Sequence, residues 1–125
     1  MLGGLFNTRS RGNGAGGPQS VSTTYTANHT VLLLQVGQTL IMNSVSDRVF
    51  TMCSVAAANI GVWFEFCNIN TGKITIDAAD SDIIVDSAAG ATIYCDDDYI
   101  ATIILKLVSA TRWLSFGATG TWTTT

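Results

Sequence analysis

A chain of 125 residues suits one domain of ordinary size, and with 47% apolar and only 12% charged residues it can bury a core without disulfide staples. That composition excludes a disordered chain, and the longest apolar runs, VLLLQV and IATIILKLV, are too short to cross a bilayer. The net charge of −3 is unevenly placed: residues 1–20 carry Arg9 and Arg11 and no acid, whereas residues 21–125 carry four basic and nine acidic groups and make a poor nucleic-acid binder.

The first segment, MLGGLFNTRSRGNGAGGPQS (1–20), holds six of the twelve glycines and the only proline. Leu2, Leu5 and Phe6 are scattered among those glycines, so no continuous apolar stretch of a secretory signal is read here. A P-loop needs G-K-[ST] after its glycines, and none follows. The segment reads as an extended arm, distinct from a β-domain over residues 21–125. Fixing its twenty residues costs on the order of 20–40 kcal/mol of backbone entropy. Burying Leu2, Leu5 and Phe6 returns about 1.5–3 kcal/mol each. The arm therefore needs a partner that adds backbone pairing, by strand addition. Arg9 and Arg11 supply charge for an acidic surface on that partner.

After residue 20 the sequence predicts strand after strand. SVSTTYTA (20–27) alternates polar and β-prone residues, and TVLLLQV (30–36) and QTLIMNSV (38–45) flank a bend at Gly37. RVFTMCSV (48–55) sends Val49, Thr51, Cys53 and Val55 to one face and Phe50, Met52 and Ser54 to the other. GVWFEFCNI (61–69) separates Val62, Phe64 and Phe66 from Trp63, Glu65 and Cys67 in the same way. A turn at NTG (70–72) leads into KITID (73–77). DIIVD (82–86), ATIYC (91–95), YIATIILKLV (99–108), RWLSF (112–116) and GTWTT (120–124) follow. Only SVAAANIG (54–61) has room for a short helical turn. Many short strands without helices imply an all-β fold: a β-sandwich, or a jelly-roll or Greek-key barrel. Trp113 and Trp122 bring two large rings to the chain end, to close the core or a seam between subunits.

The search for chemistry finds little. In YCDDDY (94–99) at most Asp96 and Asp98 converge, because neighbouring strand side chains point to opposite faces, and such a run is good turn chemistry. DAADSD (77–82) offers Asp80 and Asp82 but lacks the EF-hand pattern, so it too reads as a turn. The single histidine, His29, has no G-x-S-x-G nearby. The single glutamate, Glu65, leaves a glycosidase without its second carboxylate of that kind and reads as a strand-face residue. Cys53, Cys67 and Cys95 are odd in number and widely spaced, which suits thiols in a reducing compartment and not a disulfide scaffold or a zinc site. No metal, no cofactor and no enzymatic activity are expected.

The second half of the chain has a recognisable pattern: GKITI, then SDIIVDSAAG, then YIATIILKLVSATRWLSFGATGTW. It resembles the small β-domains of tailed-bacteriophage virion proteins, found in capsid decoration (cement) proteins and in tail-fibre or tail-spike modules. TYTANHTVLLLQVGQTLIMNSVSDRVFTM is similar to the opening strands of that group, and VWFEFCNINTGKITI to its aromatic strand. The resemblance spans residues 23–122. One departure is the absence of a Leu-Pro element in DRVFTMCSV. The resemblance implies a structural protein of the virion, assembled in the host cytoplasm. As a decoration protein it would form a homotrimer on the major capsid protein and hold the shell together. Leu2, Leu5, Phe6, Arg9 and Arg11 would then be its contact residues. The alternative is a receptor-binding or fibre module attached through the arm.

Overall fold

Along the central strands every second side chain is buried, as a strand with one face on a core requires. The computed structural model describes residues 21–96 and 100–125. The arm with Leu2, Leu5, Phe6, Arg9 and Arg11, and the acidic pair Asp97 and Asp98, lie outside the described residues. The strands are β1 (Ser22–Tyr25), β2 (His29–Thr30), β3 (Thr39–Met42), β4 (Arg48–Thr51), β5 (Trp63–Asn68) and β6 (Ile74–Asp77). They continue as β7 (Ile83–Ile84), β8 (Thr92–Cys95), β9 (Ala101–Ser109), β10 (Arg112–Thr119) and β11 (Trp122–Thr124).

They form a β-sandwich. A 6-stranded sheet has the order β1-β3-β5-β9-β10-β7, and a 5-stranded sheet the order β11-β8-β6-β4-β2. Successive strands from β1 to β6 alternate between the two sheets, so neighbours within each sheet run parallel. A parallel pair needs a crossover connection, usually a helix. Here the crossover carries a strand of the opposite sheet, and the chain winds through three stacked rungs. This winding is not the run of antiparallel hairpins that a Greek key or jelly roll needs. Antiparallel pairs follow in both sheets, β9 with β5 and with β10, and β8 with β6 and with β11, while β7 ends the first sheet parallel to β10.

In-register stacking builds the core in rows. Leu40, Phe66 and Ile103 follow one another across the first sheet, and Phe50, Ile76 and Ile93 across the second. All six are buried. Phe50 and Phe66 meet between the sheets, ring centres 5.2 Å apart. Trp113 is buried 5.8 Å from Phe64 and closes the core, its Nε1 without a hydrogen-bond partner among the described residues. Trp122 is half-buried, and its Nε1 donates to the carbonyls of Thr102 and Thr119 at 3.0 Å each.

The expected strands are found, with one segment changed in kind. TVLLLQV is not a strand: β2 ends at Thr30, and Leu33–Gln35 form a 3-10 turn. The cause is Gln35, whose side chain folds back to accept from the Leu32 amide at 3.0 Å. The short turn expected in SVAAANIG is a 3-10 turn at Ala57–Asn59. The bend at Gly37 is present, at φ 78°. DIIVD yields only a two-residue strand, since Val85 takes φ 57° and turns the chain away.

Candidate interaction surface

Strands β5, β9 and β10 of the first sheet carry apolar side chains on both faces. From β5, Phe64 and Phe66 point into the core, while Trp63, Glu65 and Cys67 point out. From β9, Ile103, Leu105 and Leu107 point in, and Ile104, Lys106 and Val108 point out. Register aligns Trp63, Lys106 and Leu114 in one row across β5, β9 and β10. Phe116 is 57% exposed, and the Lys106 ammonium sits 5.1 Å from its ring centre. The Gly37 amide donates to the Trp63 carbonyl at 2.8 Å, which sets the loop carrying Leu33, Leu34 and Val36 beside that row. Leu34 is 76% exposed. Glu65 accepts from the Thr39 hydroxyl at 2.7 Å, so its carboxylate is engaged on the face. The result is an outer face with exposed aromatic and aliphatic groups and few charges. Surfaces of that kind on soluble domains mark interaction sites.

The residues weighed for chemistry have structural occupations. His29 Nε2 lies 2.9 Å from Gln35 Oε1, and Gln35 Nε2 donates to the Tyr25 hydroxyl at 2.7 Å. The imidazole stacks on Tyr25 at 3.9 Å, and both rings meet Phe50 edge-on. Those contacts fasten the first rung to the core. DAADSD is a turn: the Asp82 amide donates to the Ala79 carbonyl, and Asp80 takes φ 54°. Asp96 is exposed at the end of β8. Among the described residues no group of three or more His, Cys, Asp or Glu is placed to hold a metal. Cys53, Cys67 and Cys95 are thiols. Burial pushes the Cys53 and Cys67 thiols up, with Asp82 and Glu65 respectively adding to the effect. Thiolate nucleophiles need the opposite shift. No helix among the described residues is long and apolar enough to cross a membrane.

Asp82 gives a pH test. Burial raises its carboxyl pKa, and Asp80 adds to the rise. The folded state thus holds the Asp82 proton more tightly than the unfolded chain does. Its contribution favours folding in acid and is lost as pH rises through the folded value. Asp82→Asn, which cannot ionise, is expected to melt above the parent at neutral pH, with the gain fading in acid. Equal gains in thermal scans at both pH values would show that the charge is not the cause.

The five arm residues singled out from the sequence are not joined here by described geometry, and the outer-face residues Trp63, Leu114 and Phe116 were not singled out. The available signal was in GVWFEFCNI, where Trp63 and Cys67 make the outward face as apolar as a second core face. A half-solvated strand alternates apolar with polar instead. No protein-family model matches the chain, and no curated protein matches it in sequence.

Proposed function

We propose that the protein is a structural component of a tailed-bacteriophage virion, a capsid decoration protein that binds the outer capsid surface as a homotrimer and stabilises the shell. One observation carries the reading most: the Gly-rich arm precedes in sequence β1, which among the described residues is the edge strand of the sheet whose outer face is apolar and exposed. In this reading the face and the arm engage the same partner. The face supplies dry contact area, and Leu2, Leu5, Phe6, Arg9 and Arg11 supply outlying attachment points. The partner would be the major capsid protein or another virion protein. The resemblance of residues 23–122 to virion β-domains supplies the biological setting.

The test is co-sedimentation of the purified protein with capsids stripped of it. Deleting residues 1–17 is expected to leave the circular-dichroism spectrum intact and to abolish decoration. Phe116→Asp, on the exposed face, is expected to lower occupancy without lowering the melting temperature. Unchanged occupancy for both variants would overturn the proposal. A signal on a glycan array with no capsid binding would favour the fibre-module alternative.

A further inference from the structure

We propose that residues 80–85 form a pH-sensitive latch, which holds β7 on β10 beside the buried Trp113 in acid and loosens as Asp82 ionises. The inference concerns the isolated chain and does not depend on the virion reading.

The latch is short and its attachment is local. β7 is two residues long, stands last in its sheet, and among the described residues pairs with β10 alone, Ile83 with Arg112 and Ile84 with Trp113. Two backbone hydrogen bonds hold it there: the Ile83 amide donates to the Thr111 carbonyl and the Val85 amide to the Trp113 carbonyl, at 2.7 Å each. Arg112 adds a longer bond, from Nη1 to the Val85 carbonyl at 3.4 Å. Ile84 and Trp113 are both fully buried, so what the latch covers is core.

The segment is bracketed by two residues in left-handed backbone, Asp80 at φ 54° and Val85 at φ 57°. An aspartate tolerates that region, whereas a β-branched residue such as Val85 is a genuine outlier in it. Such a conformation persists only where its surroundings hold it. Letting go of β10 relieves it.

Asp82 lies between these two points. It is 7% exposed, its amide donates to the Ala79 carbonyl and its carbonyl accepts from the Gly90 amide, at 3.0 Å each. The backbone thus fixes a buried carboxyl one residue ahead of β7. Asp80 shares its turn, accepts from the Ser54 hydroxyl at 3.4 Å, and acts on Asp82 as a like charge. Cys53, from the segment after β4, has its thiol pushed up by burial and by Asp82, so it stays neutral through neutral pH. From β10, Arg112 is turned to the Val85 carbonyl, and beyond β7 Asp86 accepts from the Thr124 hydroxyl at 3.0 Å. Burial first, and Asp80 second, raise the Asp82 carboxyl above its ordinary value. The closed latch therefore prefers the protonated carboxyl. Opening lets water reach the group and returns it toward the ordinary carboxylate value. By linkage the closed state is favoured below that ordinary value, and the advantage is lost as pH rises through the raised one.

Amide hydrogen exchange on the full chain, read residue by residue by NMR, tests this, each rate being taken relative to an unprotected amide at the same pH. The Ile83 and Val85 amides should be less protected than those of Phe66 and Leu105, as a local opening requires. Their protection should fall several-fold between about pH 4 and about pH 7. Asp82→Asn should abolish that fall. Asp80→Asn, which removes the like charge, should keep the fall and displace it to lower pH. Phe66 and Leu105 amides report in each variant that the domain is still folded. Protection of Ile83 and Val85 that is constant with pH in the parent, or a fall that survives Asp82→Asn, would overturn the proposal. Protection equal to that of Phe66 at every pH would also overturn it, because β7 would then open only with the whole domain.

Discussion

Replacing Gly72 with alanine is expected to lower the unfolding free energy by about 3 kcal/mol or more, beyond the usual cost of one added methyl group in a packed site. The reason lies where two rung corners meet. The turn after β5 packs on the turn after β3: the Gly72 amide donates to the Ser44 carbonyl at 3.0 Å, and the Lys73 amide to Asp47 Oδ1 at 3.0 Å. Asn68, buried beneath, donates from Nδ2 to the Gly72 carbonyl at 3.0 Å and accepts from the Asn70 amide at 3.2 Å. A Cβ on residue 72 would stand 2.6 Å from the Ser44 carbonyl oxygen and closer still to that of Ser46. Both obstacles are backbone, so no side chain can swing away, and relief requires separating the rungs. Gly61→Ala is the control: it has open space around its Cβ but sits at φ +101°, so it bears conformational strain alone. Urea unfolding of the two variants measures the difference. Equal losses would mean that the close approach of the corners does not limit this position.

That position also shows how far the sequence could be read. NTG was legible as a turn, because a polar triplet with glycine between two apolar strands has few other uses. That its glycine is required by a neighbouring turn 26 residues earlier, at Ser46, was not legible, since it depends on which strands stack. Strand existence and face were readable in the same local way. Phe50 and Met52 fall on the buried side of RVFTMCSV, and Phe64 and Phe66 on the buried side of GVWFEFCNI. Pairing direction was not readable. Period-2 alternation is the same in parallel and antiparallel strands, and here the crossovers are strands with their own alternation. TVLLLQV misled for a related reason: β-prone residues fill it, but Gln35 finds three partners by folding back, and a local hydrogen-bond set outweighs propensity. The split between Trp63 and the pair Phe64 and Phe66 was legible from alternation, but which of the two faces is covered depends on the sheet order. Trp63 stands next to buried Phe64, whereas Phe116 lies between exposed Ser115 and Gly117, and among the described residues the sheet order leaves both rings uncovered.

Phe50→Ala should be the most damaging of the core truncations, because Phe50 is where the two sheets and the first rung converge. Its ring lies 5.8 Å from Tyr25 and 6.2 Å from His29, both edge-on, and 5.2 Å from Phe66 of the opposite sheet. Tyr25 and His29 hold the Leu33–Gln35 turn through Gln35. Truncation therefore leaves a cavity in the core and also removes the wall on which the first rung rests. A buried Phe→Ala change costs about 3–5 kcal/mol, a fifth or more of the roughly 5–15 kcal/mol that stabilises a domain of this kind. The midpoint of urea unfolding should fall with little change in slope. Phe50→Leu, which keeps most of the volume, should cost less than about 1.5 kcal/mol. Phe116→Ala, on the open face, should stay within about 0.5 kcal/mol of the parent, since it forfeits only an exposed contact with Lys106. The pair separates two kinds of aromatic residue that the sequence presents alike: Phe50 acts on folding, and Phe116 is left free to act on a partner. Comparable losses at both positions would mean that the face around Phe116 is structural, and the proposed capsid contact would lose its surface.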